Sequence, residues 1–367
     1  MIKAENKISQ FQLFFIILQS QIGIGVISLP YNVYRTSGSD AWISVFIAGL
    51  FIQCAIVIIW LLCSKYPELT VFELMVNIVG KPVAFFLKIG YIIFFFLSAI
   101  LTAFQFGQKV NLWILPRTPI WVITVLLVVI SVYCVKENLK VMARFFVVVS
   151  LLLVVLLSFT LFVLKDINIL YLFPIGESGF FNMVKGSTKA TFSYQGFELL
   201  LVVFPYCLGK SIGKLKVSLS ANGFVTIFYT YLTFVTITYF GPSALKFIPE
   251  PILYLMKFRY FNIIDRVDLL FFSIWVVSVS TSFMMYLYLS SLGITHLFRK
   301  KDRTTFVYFS GAAMLIVVLL IPVNSKVIHI LENFINYYGI VFIFIVPTLL
   351  LIVSVIRSKK EKEDTPV

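Results

Sequence analysis

The sequence predicts an all-α integral membrane protein with ten transmembrane helices, and three observations predict it. Of 367 residues, 60% are hydrophobic and only 13% charged, against roughly 45–50% and about 25% in a soluble domain; the mean hydropathy is +1.00. Ten runs approach the roughly 20 mostly apolar residues needed to cross a hydrocarbon core of about 30 Å. Lys and Arg gather in alternate connections between those runs. So little polar side chain excludes a soluble enzyme, and equally a disordered, collagen-like or disulfide-stapled chain.

The runs are 10–33, 41–63, 83–106, 118–135, 142–164, 190–208, 217–241, 267–289, 304–323 and 335–356. The first follows Lys3 and Lys7, but Gln19-Ser20-Gln21 interrupts it and no small-x-small site follows, so it reads as a retained helix rather than a cleaved leader. Residues 68–79, with Glu68 and Glu73, are apolar on one side only and read as an interfacial or loop helix. The third span carries Lys88 within two turns of the interface, where a long side chain snorkels, and Tyr91, Phe104 and Gln105 are its lining candidates. Residues 165–189 form one of the two largest loops. The other, 242–266, contains a second interfacial stretch at 244–262 with Lys246, Lys257 and Arg259. Span 8 holds the hydroxyl-rich Ser278, Ser280, Thr281 and Ser282. No piece outside the membrane is long enough to fold alone, so residues 1–367 read as one polytopic unit, with one group of five spans over 10–164 and another over 190–356.

The balance of 30 Lys+Arg against 16 Asp+Glu gives +14. On a soluble chain that would suggest nucleic acid; in short loops between spans it sets topology and touches anionic lipid headgroups, and no nucleic acid is expected. The N-terminus, the loops after even-numbered spans (with Arg144 at the very start of the fifth span) and the C-terminus hold 18 of these residues, the other loops 11. Both termini are therefore expected in the cytoplasm. Cys54, Cys63, Cys134 and Cys207 stand singly, and His296 and His329 lie far apart. No metal site, redox pair or cofactor is expected.

Inside hydrocarbon every backbone group needs a partner, so a helix break is costly and usually lines a cavity. Two spans carry such breaks. Span 1 has Gly23-Ile24-Gly25 followed by Ser28 and Pro30. Span 6 has Thr191-Phe192-Ser193-Tyr194-Gln195-Gly196-Phe197-Glu198 followed by Pro205. Each opens one group of five spans, which points to inverted repeats with paired discontinuous helices around a midplane ligand. Small residues also serve close helix packing, so the coincidence of the two breaks carries the reading, not the Gly pair alone.

Glu198 is the one acid well inside an apolar run, where an unpartnered carboxylate costs about 2.5–3.5 kcal/mol or more. It reads as a cap holding the break open, as a proton-coupling group, or as part of the ligand site. The span 8 hydroxyls either bond the carbonyl one turn back or, facing span 1, contact a ligand or complete a cation site. A small zwitterion suits the layout. Backbone N–H groups at the first break would take its carboxylate, carbonyls at the second its ammonium, and Phe197 and Leu199 would limit side-chain size.

These residues carry a resemblance. The sequence resembles the spore-germination permeases, the B-subunits of bacterial germinant receptors, within the amino acid–polyamine–organocation superfamily. The match rests on Ile8-Ser9-Gln10-Phe11-Gln12 leading into Gly23-Ile24-Gly25, on Ser193-Tyr194-Gln195-Gly196-Phe197-Glu198, and on Asp265-Arg266-Val267-Asp268-Leu269 followed by Trp275. It implies a 5+5 inverted-repeat, LeuT-like fold with helices 1 and 6 unwound at the centre, and a ligand pocket among spans 1, 3, 6 and 8. By matching motif it implies ligand contacts from Gly23, Ile24 and Gly25, and from Tyr194, Gly196, Phe197, Glu198 and Leu199, with Thr281 carried over from span 8. It implies a small germinant, commonly an amino acid, sensed in the inner membrane of a spore. An A-subunit and a lipoprotein C-subunit would be its partners. Span 5 lacks the central Lys that replaces a cation in some sodium-independent relatives.

Three functions follow for comparison: a ligand-gated receptor subunit, a working amino-acid permease, and a lipid-directed membrane enzyme. The absence of a His/Asp/Glu cluster in the sequence near the spans disfavours the enzyme. The same pocket serves the first two, and only the resemblance favours the receptor.

Overall fold

The computed structural model describes residues 6–257, 267–322 and 325–363. Lys3, Arg259, Asp265 and Arg266 lie outside the described residues. Within them the chain is a bundle of helices whose starts are written in local sequence. α1 (Gln10–Gln21) begins at a capping box: Gln12 N–H donates to Ser9 Oγ, and Ser9 N–H donates to Gln12 Oε1. The chain then leaves the helix until α2 (Leu29–Ser37), which has Pro30 in its first turn, and the turn Gly38–Asp40 leads into α3 (Ala41–Lys65). α4 (Val71–Val79) has a second capping box from Thr70 and Glu73. Next come α5 (Lys81–Trp113), α6 (Ile120–Val135) and α7 (Leu139–Leu161).

The second half repeats this plan. α8 (Gly179–Ala190) runs through a tight turn, Thr191–Tyr194, to a break at Gln195-Gly196. The helix resumes as a turn at Phe197–Leu199, then α9 (Leu200–Val203) and a last turn at Phe204–Tyr206. α10 (Ser211–Leu245) is interrupted at Gly241 just before Pro242, and α11 (Pro251–Lys257) is short. α12 (Val267–Leu297) and α13 (Thr304–Leu320) follow. α14 (Ser325–Gly339) passes through a π-turn, Ile340–Ile345, into α15 (Val346–Glu363).

By length and hydropathy, six stretches can cross a membrane: Leu29–Lys65, Lys81–Trp113, Leu139–Asp166, Ser211–Leu245, Val267–Leu297 and Ile330–Arg357. Shorter apolar helices lie at Ile120–Val135, Phe197–Tyr206 and Thr304–Leu320. Helix is present at all ten expected positions. α3 packs along α10 and α5 along α12, so the second and third spans of each group pair with their counterparts. α1 threads between α7, α10 and α12, while α2 lies against α8.

Several boundaries differ from the sequence reading: α5 ends at Trp113, α10 begins at Ser211 and α12 ends at Leu297, each well beyond the apolar run. The first half of span 6 begins at Gly179, inside what reads as a loop, because α8 is polar and carries Lys185 and Lys189. It is held by packing on α2 and α3 rather than by hydropathy. The buried Asp40 anchors its approach, accepting from Gly176 N–H at 2.7 Å and from Ser178 N–H and Oγ at 3.0 and 2.8 Å. The helix of span 10 begins at Ser325 rather than near 335, with Glu332 paired to Gln105 of α5.

Candidate functional site

The helical ladder of span 1 stops at Ile22, whose N–H reaches Leu18 O at 3.0 Å. Gly23 N–H turns back to Gln21 O at 2.9 Å, and the ladder restarts where Leu29 N–H reaches Gly25 O at 3.0 Å. α1, with 12 residues, spans only about 18 Å at about 1.5 Å per residue, roughly half a bilayer core.

The two breaks touch, and glycine permits it. A Cβ on Gly25 would lie 2.6 Å from Ser193 Oγ and 2.9 Å from Ser193 Cα. Gly196 has φ +122, and a Cβ there would meet Ser20 O at 2.5 Å. The exposed backbone is tied down by α10: Tyr229 Oη donates to Gln21 O at 2.7 Å and lies 3.2 Å from Ser193 O. Gln21 Nε2 donates to Tyr194 O and to Asn222 Oδ1, both at 3.0 Å.

Between the breaks lies a buried cavity of about 30 Å³, room for one or two water-sized groups. Span 1 contributes Ser20, Gln21, Gly23, Ile24 and Gly25 to its wall, and span 6 contributes Phe192, Ser193 and Gln195. α5 adds Ser98, Leu101 and Thr102, and α12 adds Ser282 and Tyr286. No charged side chain lines it among the described residues.

Of the nine residues named from the sequence, Gly23, Ile24 and Gly25 form the wall. The others stand around it. The Tyr194 hydroxyl turns away to donate to Val45 O of α3 at 3.0 Å. Gly196 packs on the Ser20 carbonyl. Phe197 lies 6.3 Å from the Phe344 ring, and Leu199 is fully buried. Glu198, 1% exposed, accepts from Gly196 N–H at 2.7 Å through Oε2 and from Tyr286 Oη at 2.9 Å through Oε1. It thus caps the second half-helix and fixes a tyrosine that faces the cavity.

Thr281 sits one position off the wall. It donates to Ser278 O at 2.7 Å and lies 3.1 Å from Gln19 Oε1, while Gln19 Nε2 donates to Ser150 Oγ of α7 at 3.1 Å. Its neighbour Ser282 lies over the carbonyls of Gln19 and Ser20, 3.1 Å from each.

Sequence reasoning missed Ser98, Tyr286, Asn222 and Tyr229. All four are polar residues inside apolar helices, which was a signal, but the rotation of a long helix about its axis decides which of them point inward.

Two broken helices meeting at an uncharged cavity, within a bundle whose repeats pair in this way, define an integral membrane protein of the inverted-repeat, LeuT-like transporter fold. Solved structures agree. MhsT in complex with L-phenylalanine superimposes with a TM-score of 0.66 over 96% of this chain and 99% of its own, at 14% identity. Mhp1, a nucleobase-cation-symport-1 family transporter, does so at 0.63 over 95% and 80%, also at 14% identity.

Within that fold the chain belongs to the spore germination protein family, whose profile matches residues 7–328. It is 25% identical to spore germination protein YndE of Bacillus subtilis over 99% of this chain and 100% of that one. It is 26% identical to spore germination protein GerQB of Bacillus cereus over 98% of each.

Proposed function

We propose that this protein is the permease-like B-subunit of a germinant receptor, and that its central cavity binds a small germinant, an amino acid by chemistry. The observation that carries this is the juxtaposed pair of helix breaks around an uncharged polar cavity in a member of the germination family. In this reading Gly23, Ile24 and Gly25 contact the ligand, while Tyr194, Gly196, Phe197, Glu198, Leu199 and Thr281 shape the site from behind. The protein sits in the inner membrane of the spore with both termini in the cytoplasm, beside an A-subunit and a lipoprotein C-subunit, and performs no chemical conversion. Ligand acts by favouring one packing of the span 1 and span 6 halves over another, to the extent of its differential affinity.

Germination of spores carrying cavity variants, titrated with a panel of amino acids, tests the proposal. The midpoint for the active amino acid should shift or the response vanish with Gly25→Ala, while the variant stays inserted. The fold also favours a second reading, amino-acid transport by alternating access. Concentrative uptake of labelled amino acid by the isolated protein in liposomes would establish it against a sensor-only role.

A further inference from the structure

Among the described residues, two polar atoms of the cavity wall have no protein partner: Ser98 Oγ of α5 and Gln21 Oε1 at the end of α1. Both side chains are buried, 4% and 1% exposed, and both line the same cavity. A buried polar atom left unsatisfied costs about 1–3 kcal/mol.

The orientation of Gln21 is fixed. Its Nε2 donates to two acceptors, Tyr194 O and Asn222 Oδ1, and Asn222 is itself oriented by donating Nδ2 to Gly49 O at 3.1 Å. Reversing the Gln21 amide would set oxygen against oxygen twice. Oε1 is therefore held as an acceptor with nothing to accept from. Ser98 differs likewise from its neighbours. The Ser20 and Thr102 hydroxyls each donate to the carbonyl one turn back, at 2.7 and 2.8 Å, and Ser282 lies over span 1 carbonyls. Ser98 makes no such bond.

We infer that Gln21 and Ser98 determine specificity at this site, Gln21 Oε1 accepting an N–H from the ligand and Ser98 Oγ bonding its oxygen-bearing end. The inference rests on the ligand role proposed above for the cavity. A wall without a charged side chain disfavours a ligand with net charge, so the class it selects is a small zwitterion carrying an N–H donor and an oxygen acceptor a few atoms apart. Ile24, Leu101 and Phe192 supply the apolar part of the wall, which favours a ligand with a small side chain.

The test uses the full chain in detergent, with glycine, L-alanine and L-serine as probes and thermal stabilisation as the measure of binding. Ser98→Ala should leave the unliganded melting temperature unchanged or raised, because it deletes an unsatisfied group, and should weaken probe binding about tenfold. A lowered melting temperature with unaltered affinity would make Ser98 structural and overturn its role. Substituting Gln21 also breaks its bonds to Tyr194 and Asn222, so it is tested from the ligand side with glycine and its mono-, di- and trimethylated amines. Affinity should fall sharply between the dimethyl and trimethyl compounds, where the last N–H is lost. A smooth decline with size would remove Gln21 as the acceptor. If no probe binds the parent protein, the ligand role of the cavity falls with the inference; if probes bind but neither signature appears, only the inference falls.

Discussion

At Gly25 two backbones that should be separate helices come within contact, so the side chain there is constrained from both sides. Gly25→Ala places a methyl group against Ser193, and overpacking of that kind costs about 1–3 kcal/mol. The expected outcome is a lost germination response with normal amounts of protein in the membrane fraction; an unchanged dose–response would remove Gly25 from the site. Glu198 yields the opposite expectation. Its two bonds, from Gly196 N–H and Tyr286 Oη, need an acceptor on one side and a polar partner on the other. Glutamine supplies both, because its amide can donate to the tyrosine oxygen. Glu198→Gln should therefore stay folded and respond within about threefold of wild type, whereas Glu198→Ala loses both contacts and should destabilise by about 2 kcal/mol, read as a lower melting temperature. If Glu198→Gln instead abolishes the pH dependence of germination, the carboxylate couples protons as well as capping the helix.

At the scale of elements, the C-terminal end of α5 is fastened to α11. Lys109 Nζ lies 2.6 Å from Glu250 Oε1 and 3.2 Å from Ser28 Oγ, and Trp113 Nε1 donates to Glu250 Oε2 at 2.7 Å. Trp113 also stacks edge-on against Tyr254 of α11, with centroids 4.9 Å apart. The pair is only 15% and 13% exposed, so losing one partner leaves a largely buried charge and costs about 3 kcal/mol. Lys109→Met should raise amide hydrogen exchange in α11 and at the start of α2, and the swap Lys109→Glu with Glu250→Lys should restore much of the protection. Equal exchange in parent and variant would mean that α11 is held by its apolar contacts alone. This latch also marks the limit of sequence reading. Hydropathy ends the third span at 106, because Lys109 looks like a loop residue until its partner, 141 residues away, is known. α8 was hidden for the same reason, its lysines breaking an apolar run that α2 and α3 complete. The helix breaks were legible because Gly23-Ile24-Gly25 and Gly196 are local signals. Thr281 and Ser282 were not separable, since a step of one residue turns a helix by about 100° and only packing fixes its zero.

For the whole molecule, the connections line two separate openings. A cavity of about 1130 Å³ is lined by Lys7 and by connections after the even-numbered spans, with Glu73, Lys136, Tyr206 and Arg303 among its residues. A second, of about 530 Å³, is lined from connections after odd-numbered spans, including Arg35, Glu177 and Lys246. The central site of about 30 Å³ lies between two wider openings, and it cannot take even a small amino acid without repacking. Binding must therefore favour a different arrangement of the half-helices, and that change must be readable at a distance. In a background lacking Cys54, Cys63, Cys134 and Cys207, a cysteine replacing Leu292 reports on the larger opening and one replacing Thr102 on the centre. A water-soluble thiol reagent should label the first readily and the second slowly. Adding a saturating amount of the amino acid that triggers germination should change at least one rate severalfold, because a ligand that shifts a two-state equilibrium does so by its affinity difference between the states. Were both rates unmoved while spores still respond, the germinant would be read somewhere other than the meeting point of the two broken helices.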